Sequence, residues 1–148
     1  MPTTDDHLLD EALAEARQSL DEGGLPIGAV LADPAGQIIS RGHNLRVQTA
    51  DPTAHAEVVA FRAAGRRRDF HMLTLVTTLS PCIMCAATSL LYHIRRVIIG
   101  ENQNFTGAED LLSEHGVDLD LRQDPRCIQL MQHFIQQHPD LWQEDIGH

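Results

Sequence analysis

His55-Ala56-Glu57, followed one apolar strand later by Pro81-Cys82-Ile83-Met84-Cys85, is the stretch on which the reading of this chain turns. Cys82 and Cys85 stand three residues apart, so in a helix they share a face near its N-terminus. The helix dipole there favours the thiolate form. His55 opens the preceding helix and can reach the same point. Two thiolates and a neutral imidazole balance the charge of a Zn2+ ion and leave its fourth tetrahedral position open, the arrangement of a catalytic site. Glu57 is close enough to approach a metal-bound water without ligating the metal. A carboxylate so placed can take the water's proton and pass it on.

Working outward, apolar residues at Leu9, Leu13, Ala16 and Leu20, with Leu8 and Ala12 alongside, predict a helix from Asp5 to about Glu22 that Gly23-Gly24 ends. Ile27 to Leu31 and Gln37 to Gly42 flank Asp33-Pro34-Ala35-Gly36 and read as a strand hairpin. Asn44 to Pro52 is polar and read as loop. Ala54 to Ala64 has helical composition, with Thr53 as its N-cap and Gly65 as its stop. Leu73 to Thr78 is a strand, and Cys82 to about Tyr92 a helix with Pro81 in its first turn. Arg95 to Gly100 is a buried strand. Ala108 to His115 reads as a short helix, Val117 to Leu121 as a strand and Pro125 to Gln137 as a helix, with a short segment from Pro139 to Ile146 last. Helices alternating with strands predict an α/β fold, a three-layer α-β-α sandwich on one mixed, five-stranded sheet, and a single domain over 1–148.

Composition narrows the partners. The 148 residues carry a net charge of −10 with His neutral, which argues against nucleic acid, whose binding rests on Lys and Arg. The one basic cluster, Arg66-Arg67-Arg68, is partly cancelled by Asp69 and reads as a solvated loop. No apolar run is long enough to span a membrane. The N-terminus is polar and acidic, unlike a signal peptide, so a cytoplasmic protein is expected. Three cysteines are an odd number for a disulfide framework, and metal spacing is the better reading of Cys82 and Cys85. A lone Cys-x-x-Cys would also fit redox chemistry, or a structural zinc site completed by Cys127. Cys127 falls within an amphipathic helix, where buried free cysteine is common. The other histidines form no ligand-spaced cluster with the motif.

The joint His-x-Glu and Pro-Cys-x-x-Cys pattern is the known zinc deaminase signature. The resemblance goes further, to fungal-type (yeast-like) cytosine deaminase within the cytidine/deoxycytidylate deaminase superfamily. It is carried by Gly23-Gly24-Leu25-Pro26-Ile27-Gly28, Arg41-Gly42-His43-Asn44-Leu45-Arg46, Thr78-Leu79-Ser80-Pro81-Cys82, Gly100-Glu101-Asn102-Gln103-Asn104-Phe105 and Trp142-Gln143-Glu144-Asp145-Ile146-Gly147. The resemblance implies a cytidine deaminase-like fold, one catalytic Zn2+ per subunit on His55, Cys82 and Cys85, and Glu57 as proton shuttle. It also implies that Asn44 and the Ala56 amide bind the polar edge of a free pyrimidine. Phe105 and Trp142 would cover the ring, while Asp145 and the Ser80 carbonyl would contact the exocyclic amine. A homodimer, with helices packed near the active sites, is implied as well. Two departures bear on the substrate. This chain has Ala56 where the fungal enzymes carry Gly, and Gln143 where they carry an aromatic, a loss that would loosen closure or admit a different ring.

Rival readings keep the same zinc chemistry. Asp51-Pro52-Thr53-Ala54-His55-Ala56-Glu57 also looks like tRNA adenosine deaminase, which should present a basic surface and a basic C-terminal helix. This chain instead ends in Gln143-Glu144-Asp145-Ile146-Gly147-His148. Guanine, isocytosine or a triazine or pterin analogue are alternative small rings. A non-catalytic binding module that kept the fold is the third class, and the presence of Glu57 argues against it.

Overall fold

The computed structural model describes residues 1–148. Helix α1 (Thr4–Asp21) starts at a capping box: Thr3 Oγ1 accepts from the Asp6 amide, and the Asp6 carboxylate accepts from the Thr3 amide at 2.8 Å. Strands β1 (Gly28–Ala32) and β2 (Ile38–His43) form the expected antiparallel hairpin. A short helix α2 (Arg46–Thr49) follows, within the stretch read as loop. Then come α3 (Ala56–Ala64), a 3-10 turn at Phe70–Met72, β3 (Thr74–Thr77), α4 (Ile83–Leu91) and β4 (Arg96–Ile99). Helix α5 (Glu109–Glu114), β5 (Asp118–Leu121), α6 (Pro125–Gln137) and α7 (Pro139–Asp145) complete the chain. No helix is long and apolar enough to cross a membrane.

The sheet has five strands in the order β2-β1-β3-β4-β5. β1 runs antiparallel to β2 and β3, while β3, β4 and β5 are parallel, with α4 and α5 as the crossovers. Strand alternation divides the core. Val30, Ala32, Val76 and Ile98 face α1 and Cys127 of α6. Ala29, Leu31, Leu75, Val97 and Ile99 pack on the other side with Ala60 and Phe61 of α3 and Ala86 of α4. These are the three layers expected.

Two glycines let the helices approach the sheet closely enough to aim the site. A Cβ on Gly28 would strike the Ala12 carbonyl of α1, and one on Gly42 would strike the Ala56 carbonyl and the Ala60 amide of α3. Gly42 therefore seats the first turn of α3 against β2, next to Asn44. The expected Thr53 cap is not formed. Its hydroxyl bonds instead to Asp51 Oδ1 at 2.8 Å in the preceding turn, and the N-cap is His55, in extended backbone with no side-chain cap. This releases the imidazole from capping.

Candidate active site

Two helix N-termini meet at one point. His55 is the N-cap of α3, with Ala56 and Glu57 in the first turn, and Cys82 is the N-cap of α4, with Cys85 in the first turn. The Cys82 side chain makes no cap bond, so its sulfur is free to turn inward. The ligand atoms of His55, Cys82 and Cys85 lie within 4.8 Å of one another, the one such metal-ligating group in the protein. A tetrahedral zinc at about 2.3 Å from sulfur and about 2.0 Å from nitrogen holds those atoms roughly 3.5 Å apart. His55 Nδ1 lies 3.5 Å from Cys82 Sγ, so the donor set fits zinc in chemistry and in spacing. Cys127 belongs to the α1 side of the sheet, which removes the structural four-ligand alternative.

The electrostatics suit a cation. Cys82 is lowered to about 4, chiefly because its sulfur accepts a hydrogen bond from Cys85, with burial opposing and His55 helping. That same bond, with burial, raises Cys85 well above its ordinary value. Burial disfavours a charged His55, yet its bond to Cys82 and the nearby Asp145 and Glu57 carboxylates raise it to about 9. Glu57 is raised to about 7, first by burial and then by the Cys82 charge. Zinc binding takes deprotonated thiols and neutral imidazole, so this cluster exchanges protons for metal.

Every residue singled out by the resemblance arrives at the same place. Asn44, His55, Ala56, Glu57, Ser80 and Cys82 wall one side of a pocket, and Phe105, Trp142 and Asp145 close it, with Cys85 buried beneath. Asn44 leaves the end of β2, and Ser80 follows β3, so the site sits at the carboxyl ends of these two strands. Asn44 Nδ2 donates to Asp145 Oδ1 at 2.8 Å, tying the last helix to the sheet. Asp145 Oδ1 also lies 3.7 Å from His55 Nε2. Phe105 and Trp142 meet edge to face, with centroids 5.7 Å apart. The Ala56 amide, first in its helix, has no backbone acceptor, and the Ser80 carbonyl accepts no backbone bond. Both groups are available to a ligand.

Gln143, expected beside the closure, is exposed and lines no part of the pocket. Helical geometry turns it outward, because Trp142 and Asp145, three apart, share the inward face. Its aromatic-to-Gln departure therefore does not alter the pocket wall. Ile27, Leu79 and Ile146 also line the pocket, unremarked as site residues beforehand. Ile27 and Leu79 fall within the stretches that carry the resemblance, but nothing in an apolar side chain marks it as pocket wall rather than core.

Fold and site together define a zinc-dependent hydrolytic deaminase. The chain belongs to the cytidine and deoxycytidylate deaminase family, whose zinc-binding region matches residues 2–101. It is 43% identical over 141 residues to a cytosine deaminase of Candida albicans, covering 94% of each chain. It is 40% identical over 107 residues to a tRNA-specific adenosine deaminase of Haemophilus influenzae, covering 70% of this chain and 62% of that one. A structure solved in a study of A-to-I editing by tRNA:A34 deaminases has a TM-score of 0.74 at 31% identity, covering 84% of this chain and 98% of that chain.

Proposed function

We propose that the protein hydrolyses the exocyclic amine of a free pyrimidine base, converting cytosine and water to uracil and ammonia. The observation that carries this reading is the cap. Trp142 and Asp145 of α7 line a space of about 20 Å³ at the ligand cluster, room for about one water, beside an outer cleft of about 550 Å³ that shares His55, Cys82, Phe105 and Asp145. A small flat ring admitted under a displaced α7 suits such a pocket, whereas an anticodon loop needs an open basic groove. The net charge of −10 and the near full-length similarity to the Candida cytosine deaminase support the same reading.

In this reading Asn44 and the Ala56 amide hold the polar edge of the ring, and Phe105 and Trp142 cover its faces. The Ser80 carbonyl accepts from the exocyclic amine, on the side that Asp145 also flanks. A zinc ion held by His55, Cys82 and Cys85 would supply Lewis acidity and a water acidic enough to react near neutral pH. Glu57, buried beside the ligand cluster, takes the two protons of the attacking water in turn and delivers one to the ring nitrogen and one to the departing amine. The new C–O bond replaces the C–N bond, and ammonia leaves.

The protein acts as one domain, in the cytoplasm, in pyrimidine base salvage. Its three free cysteines suit a reducing compartment. It functions as a homodimer, for which Ile83 and Leu91, exposed on α4 beside the site, offer an apolar face. Sedimentation at micromolar concentration checks this, and a monomer there refutes it.

The experiment is ammonia release by zinc-loaded protein from cytosine, guanine, isocytosine and an anticodon stem-loop RNA. Turnover of cytosine above the others is expected. Turnover of guanine without cytosine overturns the ring assignment, and turnover of RNA without free bases overturns the cap argument.

A further inference from the structure

Asn44 presents its side chain to the pocket, but its backbone carbonyl is held by a partly buried polar cluster on the far side. Ser19 Oγ of α1 donates to the Asn44 carbonyl at 2.7 Å, and Gln48 Nε2 of α2 donates to the same carbonyl at 3.0 Å. Gln48 Nε2 also lies 3.1 Å from Ser19 Oγ and 3.3 Å from Glu22 Oε1. Glu22 is itself fixed by His43 Nε2 at 2.9 Å, whose Nδ1 meets Glu15 at 2.8 Å. Ser19 is fully buried, and a Cβ on Gly24 would strike the Gln48 amide, so the cluster is tightly packed.

The Gln48 amide is unusual in what it gives up. Its Oε1 is the one buried side-chain polar atom in the protein with no partner. An unpaired buried acceptor carries a full desolvation penalty, and native structures contain few. Gln48 leaves that oxygen unpaired while its Nε2, with two hydrogens, stands within reach of the Asn44 carbonyl, Ser19 Oγ and Glu22 Oε1. Simple helix packing does not require such an arrangement, and broken local rules concentrate where function sets geometry.

The result is an Asn44 pinned at every polar atom. Its amide donates to Ile27 O at 3.0 Å, its Oδ1 accepts from the Arg46 amide at 3.0 Å, and its Nδ2 donates to Asp145. With the backbone and one face of the side chain fixed, the remaining Nδ2 hydrogen and Oδ1 lone pair have one direction open to them, into the pocket. We propose that Gln48, assisted by Ser19, is a positioning residue that fixes the Asn44 backbone carbonyl, and thereby where the Asn44 side chain stands in the pocket and the affinity for the substrate ring. This rests on the reading that Asn44 binds the ring.

The test is a double-mutant cycle read as kcat and KM for cytosine. Gln48→Met keeps the volume but removes the donors. It is expected to raise KM about three- to tenfold, the worth of a hydrogen bond, with kcat within about twofold. Zinc content and circular dichroism should match the wild type. In an Asn44→Ala background the same substitution should leave kcat/KM unchanged, because its effect runs through Asn44. Ser19→Ala should show the same pattern at smaller size, which keeps the test usable if Gln48→Met folds poorly. An unchanged KM in both variants, or the same fold-change with Asn44 absent, overturns the proposal. An Asn44→Ala enzyme with wild-type kcat/KM instead overturns the reading of Asn44 itself.

Discussion

The two helix N-termini that carry the zinc ligands and the C-terminal helix that covers them are built on different principles. In the first region the chemistry is local: His55 is two residues from Glu57, Cys82 three from Cys85, and two turns of helix aim all four. In the second the chain contributes from a distance. Asp145 reaches Asn44 across 101 residues, and Trp142 meets Phe105 only because α6 turns into α7 at His138. On the function proposed above, the contrast separates what makes the reaction run from what chooses its substrate. Damage to the first region should remove turnover, and damage to the second should change affinity and selectivity while zinc stays bound.

Substitutions can break that division, and the largest effect belongs to the ligands. Cys85→Ala should lose the stoichiometric zinc and with it measurable ammonia release, both checked on one preparation by metal analysis and assay. Next comes Glu57→Gln, which should keep zinc yet lower kcat by roughly 10²–10⁴-fold, the range for removing a proton-transfer group. Near-normal kcat would show that the proton path lies elsewhere. In the capping region, Asp145→Ala should retain zinc and cut kcat/KM about ten- to a hundredfold, as expected for a lost hydrogen bond to a charged group. Equal loss of zinc would mean that the two regions are not separable, since Asp145 also stands 3.7 Å from His55.

The smallest effect sharpens the junction between the regions. Burial opposes a charged His43, but hydrogen bonds to Glu15 and Glu22 outweigh it and raise its pKa above the ordinary 6.5. A raised folded-state pKa stabilises fully below the unfolded value and is lost as pH rises through the folded one. His43→Gln should therefore lower Tm by on the order of 3 °C at pH 6, with the gap narrowing above neutrality. A gap that widens with pH would reverse the assignment of charge.

This division also explains what the sequence could disclose. The ligand set was legible because short spacings on a helix translate directly into geometry, and the strands stood out as apolar or β-branched runs, with Val117 to Leu121 marked by alternation. The orientation of α7 was not. Gln143 and Trp142 are neighbours in sequence, yet one faces solvent and the other the pocket, and only packing against Phe105 decides which. Thr53 looked like a cap because capping is a local preference, but α3 begins only at Ala56, behind His55, and the Thr53 hydroxyl donates to Asp51 in the preceding turn. Gln48 reaches the Asn44 carbonyl only four residues back, but the Ser19 bond to the same carbonyl depends on the close approach of α1 to the end of β2, which no periodicity records. Arg67 was legible as part of a solvated loop, pairing with Asp69 at 2.6 Å within its own turn.

The most direct test of the division is one ratio: kcat/KM for cytosine over that for an anticodon stem-loop RNA, compared between the zinc-loaded wild type and Trp142→Ala. The wild type should favour cytosine strongly, and removing the indole should lower the cytosine term about tenfold. Zinc content and Glu57-dependent turnover should persist. A ratio that favours RNA in the wild type, or one that Trp142→Ala leaves unchanged, would contradict the claim that the C-terminal cap selects the substrate.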